Sequence, residues 1–176
     1  LAVAPRAVGT PVTITQAGGA VVAAFRQATA TAFVLVAIVL LVLLRRFSDT
    51  MLVLAPLVLA AMLTGATSVI LDLPFNFANV IVLPLLFGLG VASGVHLVLR
   101  RRRTGNAAEL LHTSTPRAVL YSALTTIASF GSLALSGHRG MTSMGQLLTI
   151  AIAYTLICTL IVLPALMVWR ERRAQQ

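Results

Sequence analysis

Acidic residues are nearly missing from this 176-residue sequence: Asp49, Asp72, Glu109 and Glu171 are the only four. Lysine is absent altogether, so all thirteen basic residues are arginine and the net charge is +9. Only 10% of residues are charged and 59% are hydrophobic, with a mean hydropathy of +0.99. Soluble domains run at roughly a quarter charged, which excludes a water-soluble globule. The one cysteine, Cys158, lies inside an apolar stretch; it rules out an internal disulfide framework and reads as a small buried hydrophobe. The four acids sit at the edges of apolar stretches, and no histidine pair has zinc-site spacing. No metal, no cofactor and no Ser-His-acid catalytic group is therefore expected, and the chain does not read as an enzyme. The arginines are not interleaved with aromatics along one face, so nucleic acid is not an expected partner. The start Leu1-Ala-Val-Ala-Pro5 has no charged region before a short apolar core. It does not look like a signal peptide, and the chain reads as the C-terminal piece of a larger protein.

What the sequence does have is apolar length. A membrane-spanning helix needs about 20 residues, and five stretches qualify, over about 20–45, 51–71, 76–100, 116–136 and 143–170. All are too long for lipid-exposed strands, which predicts an all-α membrane protein: a polytopic bundle of five transmembrane helices over 19–173. Residues 1–18 read as the end of an extracytoplasmic domain and its connector, with Pro11-Val-Thr-Ile-Thr15 as a strand. Residues 106–112 carry a capping-box pattern, Asn106 with Glu109. This predicts a short cytoplasmic helix resting Leu110 and Leu111 on the membrane surface.

Arginine placement orients the bundle. If successive helices alternate in direction, Arg45, Arg46, Arg100 to Arg103, Arg117, Arg170, Arg172 and Arg173 share one side, and Arg6, Arg26 and Arg139 the other. The positive-inside rule makes the richer side, and with it the C-terminus, cytoplasmic.

Two patterns are candidates for function. Gly90 and Gly94, with Gly88 just outside the pair, put small residues on one helix face and allow a neighbouring helix to approach closely. Pro84, in the same stretch, is expected to kink it. In the next helix Ser122, Thr125, Ser129, Ser132 and Ser136 recur every three or four residues, with Thr126 widening the stripe. Such a stripe serves packing and back-bonding to carbonyls, or it lines a hydrated path. His96 has the same two readings, a proton-relay member or an interfacial histidine capped by water.

The run Phe75-Asn-Phe-Ala-Asn-Val followed by Leu83-Pro-Leu-Leu-Phe-Gly-Leu-Gly-Val-Ala-Ser-Gly-Val-His96 resembles the tenth helix of RND-superfamily transporters, in the MMPL-like, hopanoid-exporting branch. Thr115–Leu133 resembles helix eleven, and Thr149–Pro164 looks like helix twelve. The resemblance implies a twelve-helix transporter of two similar halves in the bacterial inner membrane, in which proton flow drives a lipid or hydrophobic cargo outward. This chain would supply helices eight to twelve. Its implied partners are membrane lipids, the remaining N-terminal half, and further copies in a homodimer or homotrimer. A protein-export accessory of the same superfamily and a lipid-sensing membrane protein are the alternatives. Many relatives carry Gly-Leu-Gly-Val-Asp in helix ten, the Asp being the relay acid, and here that position is Ala92. The departure is either a natural loss, with the first half carrying the proton, or an engineered Asp→Ala. Ser93, His96, Thr125, Thr126 and Ser129 are then what remains of the relay environment.

Overall fold

Helices form every regular element among the residues that the computed structural model describes, which are 10–73, 75, 79, 81–105, 107–110 and 112–174. Helix α1 (Thr10–Leu44) is the longest before the chain first turns. It absorbs Thr10–Thr15, where the β-branched alternation predicts a strand. Extending an existing helix adds a hydrogen bond per residue with no new nucleus to form, and this outweighs a weak strand preference. Residues 1–9, the rest of the expected connector, lie outside the described residues. Much of α1 is apolar and uncovered, including Val34, Ile38, Val39 and Val42, as a lipid-facing surface requires. Its other side buries Leu40 and Leu44 and sets Phe33 edge-on to Phe87, with ring centroids 5.4 Å apart.

Only Arg45 and Arg46 separate α1 from α2 (Phe47–Ile70), and Arg45 makes the reversal with a φ of 51°. Helix α2 starts one turn earlier than the apolar run predicts, which brings Asp49 into its first turn.

Helix α3 (Val82–Thr104) continues through all four arginines and stops at Gly105, whose φ of 76° gives the left-handed turn that closes a helix end. Arginine is a good helix former, so the charged run ends the apolar segment without ending the helix. Pro84 falls in the first turn, where a missing N–H has no helical partner to lose. The kink expected of it has no basis here.

Helix α4 (Ala107–Leu110) is a single turn, and its Leu110 is fully buried in the bundle core rather than laid on the membrane surface. Asn106 and Leu111, also invoked for that surface helix, lie outside the described residues.

Helix α5 (Ser114–Leu133) packs chiefly on α6 (Arg139–Ile157). After α6 the chain widens into one π turn, Cys158–Val162, and continues as α7 (Leu163–Ala174). Pro164 explains the widening: its ring would strike the carbonyl four residues back in a regular helix, and an inserted residue relieves the clash.

Among the described residues, four segments are long and apolar enough to cross a membrane: Gly18–Leu44, Phe47–Ile70, Val82–Thr104 and Arg139–Arg173. Helix α5 is not among them, because seven of its 20 residues are Ser or Thr. The core lies where α2, α3, α6 and α7 meet, around Val53, Leu57, Leu86, Leu97, Leu147 and Met167.

The expected alternation of direction holds, since the arginine-rich ends of α1, α2, α3 and α7 converge on Asp49. That carboxylate accepts hydrogen bonds from Arg102 Nε at 2.8 Å and Arg170 Nη1 at 2.9 Å. Arg102 Nη2 also donates to the Leu44 carbonyl at 2.6 Å, and Arg101 Nε pairs with Glu171 at 2.9 Å. Farther from these pairs, the Thr67 hydroxyl and Tyr154 hydroxyl lie 2.8 Å apart, joining α2 to α6.

Candidate functional site

Helices α3, α5 and α6 diverge around an open groove of about 590 Å³. The divergence follows from side-chain size. Gly94 holds the opposite face of α3 tightly against α2, and Gly90, at the edge of the groove, lets α3 close on α2 and α6. A Cβ on Gly94 would stand 2.8 Å from Val53 Cγ1, and one on Gly90 would meet Leu57 and come within 2.8 Å of Thr155 Cγ2. The glycine pair therefore packs on α2 and α6 and does not meet the hydroxyl stripe of α5. Helical spacing shows which residues share a face; it does not show which neighbour takes that face. Gly88, grouped with the pair in the sequence, has open space within 4 Å of where a Cβ would stand and lines the groove beside Gly90.

The face of α3 turned to the groove carries Leu89, Ala92, Ser93 and His96, at the three- and four-residue steps of one helical stripe. Ala92 and His96 are exposed there and Ser93 is half-buried. From α5 come Ser122 and Thr126, and Ser114 and Thr115 stand with His96 among the lining residues. Thr125 and Ser129 do not line it. They lie on the uncovered side of α5 and donate back to the carbonyls of Tyr121 and Thr125, each at 2.9 Å. Thr126 does the same to Ser122 at 2.9 Å, although its side faces the groove. So of the residues singled out for a relay environment, the structure gathers Ala92, Ser93, His96 and Thr126, and leaves Thr125 and Ser129 outside.

Two lining residues are invisible to the stripe argument. Thr155 and Thr159 are buried and form the floor of the groove on the α6 side. They stand four residues apart in a stretch that otherwise reads as uniform apolar helix, and that spacing is the one signal that marks them. No carboxylate lines the groove among the described residues, and no cluster of His, Cys, Asp and Glu there is built to hold a metal. The groove can accommodate water, and it can accept a polar or acidic side chain from another helix, but it contains no strong base of its own among the described residues.

No protein-family model matches the chain. Individual proteins do. The chain is 45% identical over 163 residues to the hopanoid transporter HpnN of Rhodopseudomonas palustris, a match covering 93% of this chain and 18% of that protein. It is 42% identical over 165 residues to HpnN of Burkholderia multivorans, with the same 93% and 18% coverage. A membrane protein of Methanocaldococcus jannaschii is 31% identical over 142 residues, covering 77% of this chain and 37% of that one. These matches bear out the resemblance to the hopanoid-exporter branch of the RND superfamily read from Phe75–His96 and Thr115–Leu133. The chain spans only 18% of the length of the hopanoid transporters it matches, and so corresponds to one part of such a protein.

Proposed function

We propose that this chain is the C-terminal transmembrane part, helices eight to twelve, of an inner-membrane exporter that uses the proton-motive force to move a lipid of the hopanoid class toward the outer membrane. The observation that carries this reading is the groove: a polar seam between α3, α5 and α6, opened at Ala92 and His96 and lined by no acid among the described residues. Proton-driven movement needs a carboxylate at membrane depth whose ionisation changes what packs against it. In this reading a helix of the remaining half closes the groove and faces its acid toward Ala92, Ser93 and Thr126. Loss or gain of the proton then shifts α3 and its tightly packed partners α2 and α6 relative to that helix. Helix α5 crosses the bilayer as the fourth of five spans, with the hydroxyls of Thr125, Thr126, Ser129 and Ser132 satisfied by back-bonding, and the arginine-rich ends and the C-terminus lie in the cytoplasm. Residues 1–18 lead in from a periplasmic domain, and the assembly is a homodimer or homotrimer surrounded by membrane lipid.

The reading is tested by lipid release from full-length protein in proteoliposomes, with and without a proton gradient. Collapsing the gradient should reduce release by about tenfold or more, the scale expected when one carboxylate's protonation gates the step; release that ignores the gradient would eliminate proton-driven export. A second prediction concerns position 92. Ala92 is exposed in an open groove, so Ala92→Asp should be accommodated without loss of stability and should raise gradient-driven release. No rise, or a fall, would remove position 92 from the relay.

A further inference from the structure

The most deeply buried hydroxyl-bearing residue in the groove wall belongs to neither α3 nor α5. Thr159, second residue of the π turn, is only 2% exposed and lines the groove. Threonines in the regular helical turns of this protein donate to the carbonyl four residues back: Thr64 to Ala60 at 2.7 Å, Thr126 to Ser122 at 2.9 Å, Thr155 to Ala151 at 2.8 Å. The same rule would send the Thr159 hydroxyl to the Thr155 carbonyl. The widened turn breaks that register, and the Thr159 hydroxyl has no hydrogen-bond partner among the described residues. Unlike Arg100 Nε and Thr149 Oγ1, which are fully enclosed without a partner among the described residues, the Thr159 hydroxyl opens onto the groove, where a polar molecule can satisfy it.

The surroundings define what satisfies it. Ser93 and Thr126 line the same groove, and no carboxylate does so among the described residues, so a cation there would be uncompensated. Among the described residues the only ionisable lining residue is His96, which stands with Ser114 and Thr115, so a fixed anion is equally unsupported. A small neutral molecule that both donates and accepts fits the hydroxyl lining. An ordered water needs a polar, roomy site with two to four partners, and a groove of about 590 Å³ has the room.

We infer that Thr159 anchors an ordered water at the floor of the groove, making the π turn of the α6–α7 helix a third wall of the polar seam. Its use in moving protons rests on the function proposed above; its existence does not. The site extends the relay to a helix that contributes neither the Gly-rich face nor the hydroxyl stripe.

The experiment is pulsed radiolytic hydroxyl-radical labelling of the full-length protein in nanodiscs. Radicals formed from bound water oxidise the side chains beside it, here Leu156 and Ile152, which line the groove. Thr159→Val keeps the shape and removes the hydroxyl, and should lower that labelling by about fivefold or more, while Thr159→Ser stays within about twofold of the parent. Thr155→Val is the control, since Thr155 already has a backbone partner, and it should leave labelling unchanged. Undiminished labelling in Thr159→Val overturns the inference. So does equal loss in Thr159→Ser, which would assign the effect to packing of the methyl group. Thr159→Cys, similar in size and a weak hydrogen-bonder, substitutes if the valine variant does not fold. Proton uptake by the parent is measured alongside. Labelling that falls as expected in a protein that carries no protons keeps the water site and removes the proton-relay reading.

Discussion

Asp49→Asn should lower stability by about 3 kcal/mol, the low end of what is lost when one member of a buried ion pair is removed. Asp49 has 2% of its side chain exposed and holds two guanidiniums, those of Arg102 and Arg170, whose side chains are 29% and 36% exposed. An amide in its place keeps the shape but strands two cations beside each other. Partial solvent contact at both arginines softens the penalty, which places the estimate at the bottom of the range. The change also frees Arg102, which anchors the last carbonyl of α1 at Leu44. Four helix ends are therefore loosened by one substitution. Asp72→Asn is the comparison: Asp72 is exposed and has a φ of 50°, a conformation asparagine adopts readily, so a change within about 0.5 kcal/mol is expected. Thermal unfolding of both variants in the same detergent measures the difference. Equal melting temperatures would show that the cluster contributes nothing to holding these helices together.

Asp49 also shows where sequence reasoning reaches and where it ends. Apolar length and arginine placement were enough to find the helices and to predict that the ends of α1, α3 and α7 share a side, because both signals are one-dimensional. The same alternation puts the start of α2 on that side, so the proximity of Asp49 to the arginines was available. Its burial was not, since burial depends on which side chains close over it. Pro84 departs from its expected kink for a related reason: whether proline kinks a helix depends on where the helix starts, and boundaries are the weakest signal a sequence carries. The π turn has a visible cause in Pro164, but a sequence gives no sign of whether a helix bends, widens or breaks there. For the groove, the four-residue spacing of Ala92 and His96 puts them on one helix face, and both line it; Ser93 enters only through the family resemblance. The choice of Gly90 and Gly94 to pack on Val53 and Leu57, and the outward turn of Thr125 and Ser129, are decisions about neighbours, made by volumes on other helices.

Gly145→Ala should be the most damaging single-methyl change in the bundle, at about 2–3 kcal/mol, the upper part of the overpacking range. A Cβ there would collide with the Ala134 backbone nitrogen and stand 2.7 Å from the Leu133 carbonyl carbon and 2.8 Å from the Phe130 oxygen. All three are backbone atoms of the closing turn of α5, so no rotamer change relieves the contact. At Gly94 the obstacle is the Val53 side chain, and a small tilt of α2 is available. The two glycines of α3 and α6 thus predict an order of damage, Gly145 above Gly94. Gly88→Ala marks the other extreme: nothing lies within 4 Å, and replacing an unhindered helical glycine should gain up to about 1 kcal/mol. Unfolding of the three variants in one detergent gives the ranking, and a Gly145→Ala protein as stable as the parent would show that α5 is not seated on α6 in this way. The consequence reaches the groove. Helix α5 packs chiefly on α6, with Val119 its one buried residue, so its seat at Gly145 fixes the wall that Ser122 and Thr126 present to Ala92. Displacing that seat should widen the polar seam, so Gly145→Ala should lower gradient-driven lipid release in the fraction of protein that remains folded, where a purely structural seat would leave release per folded molecule unchanged.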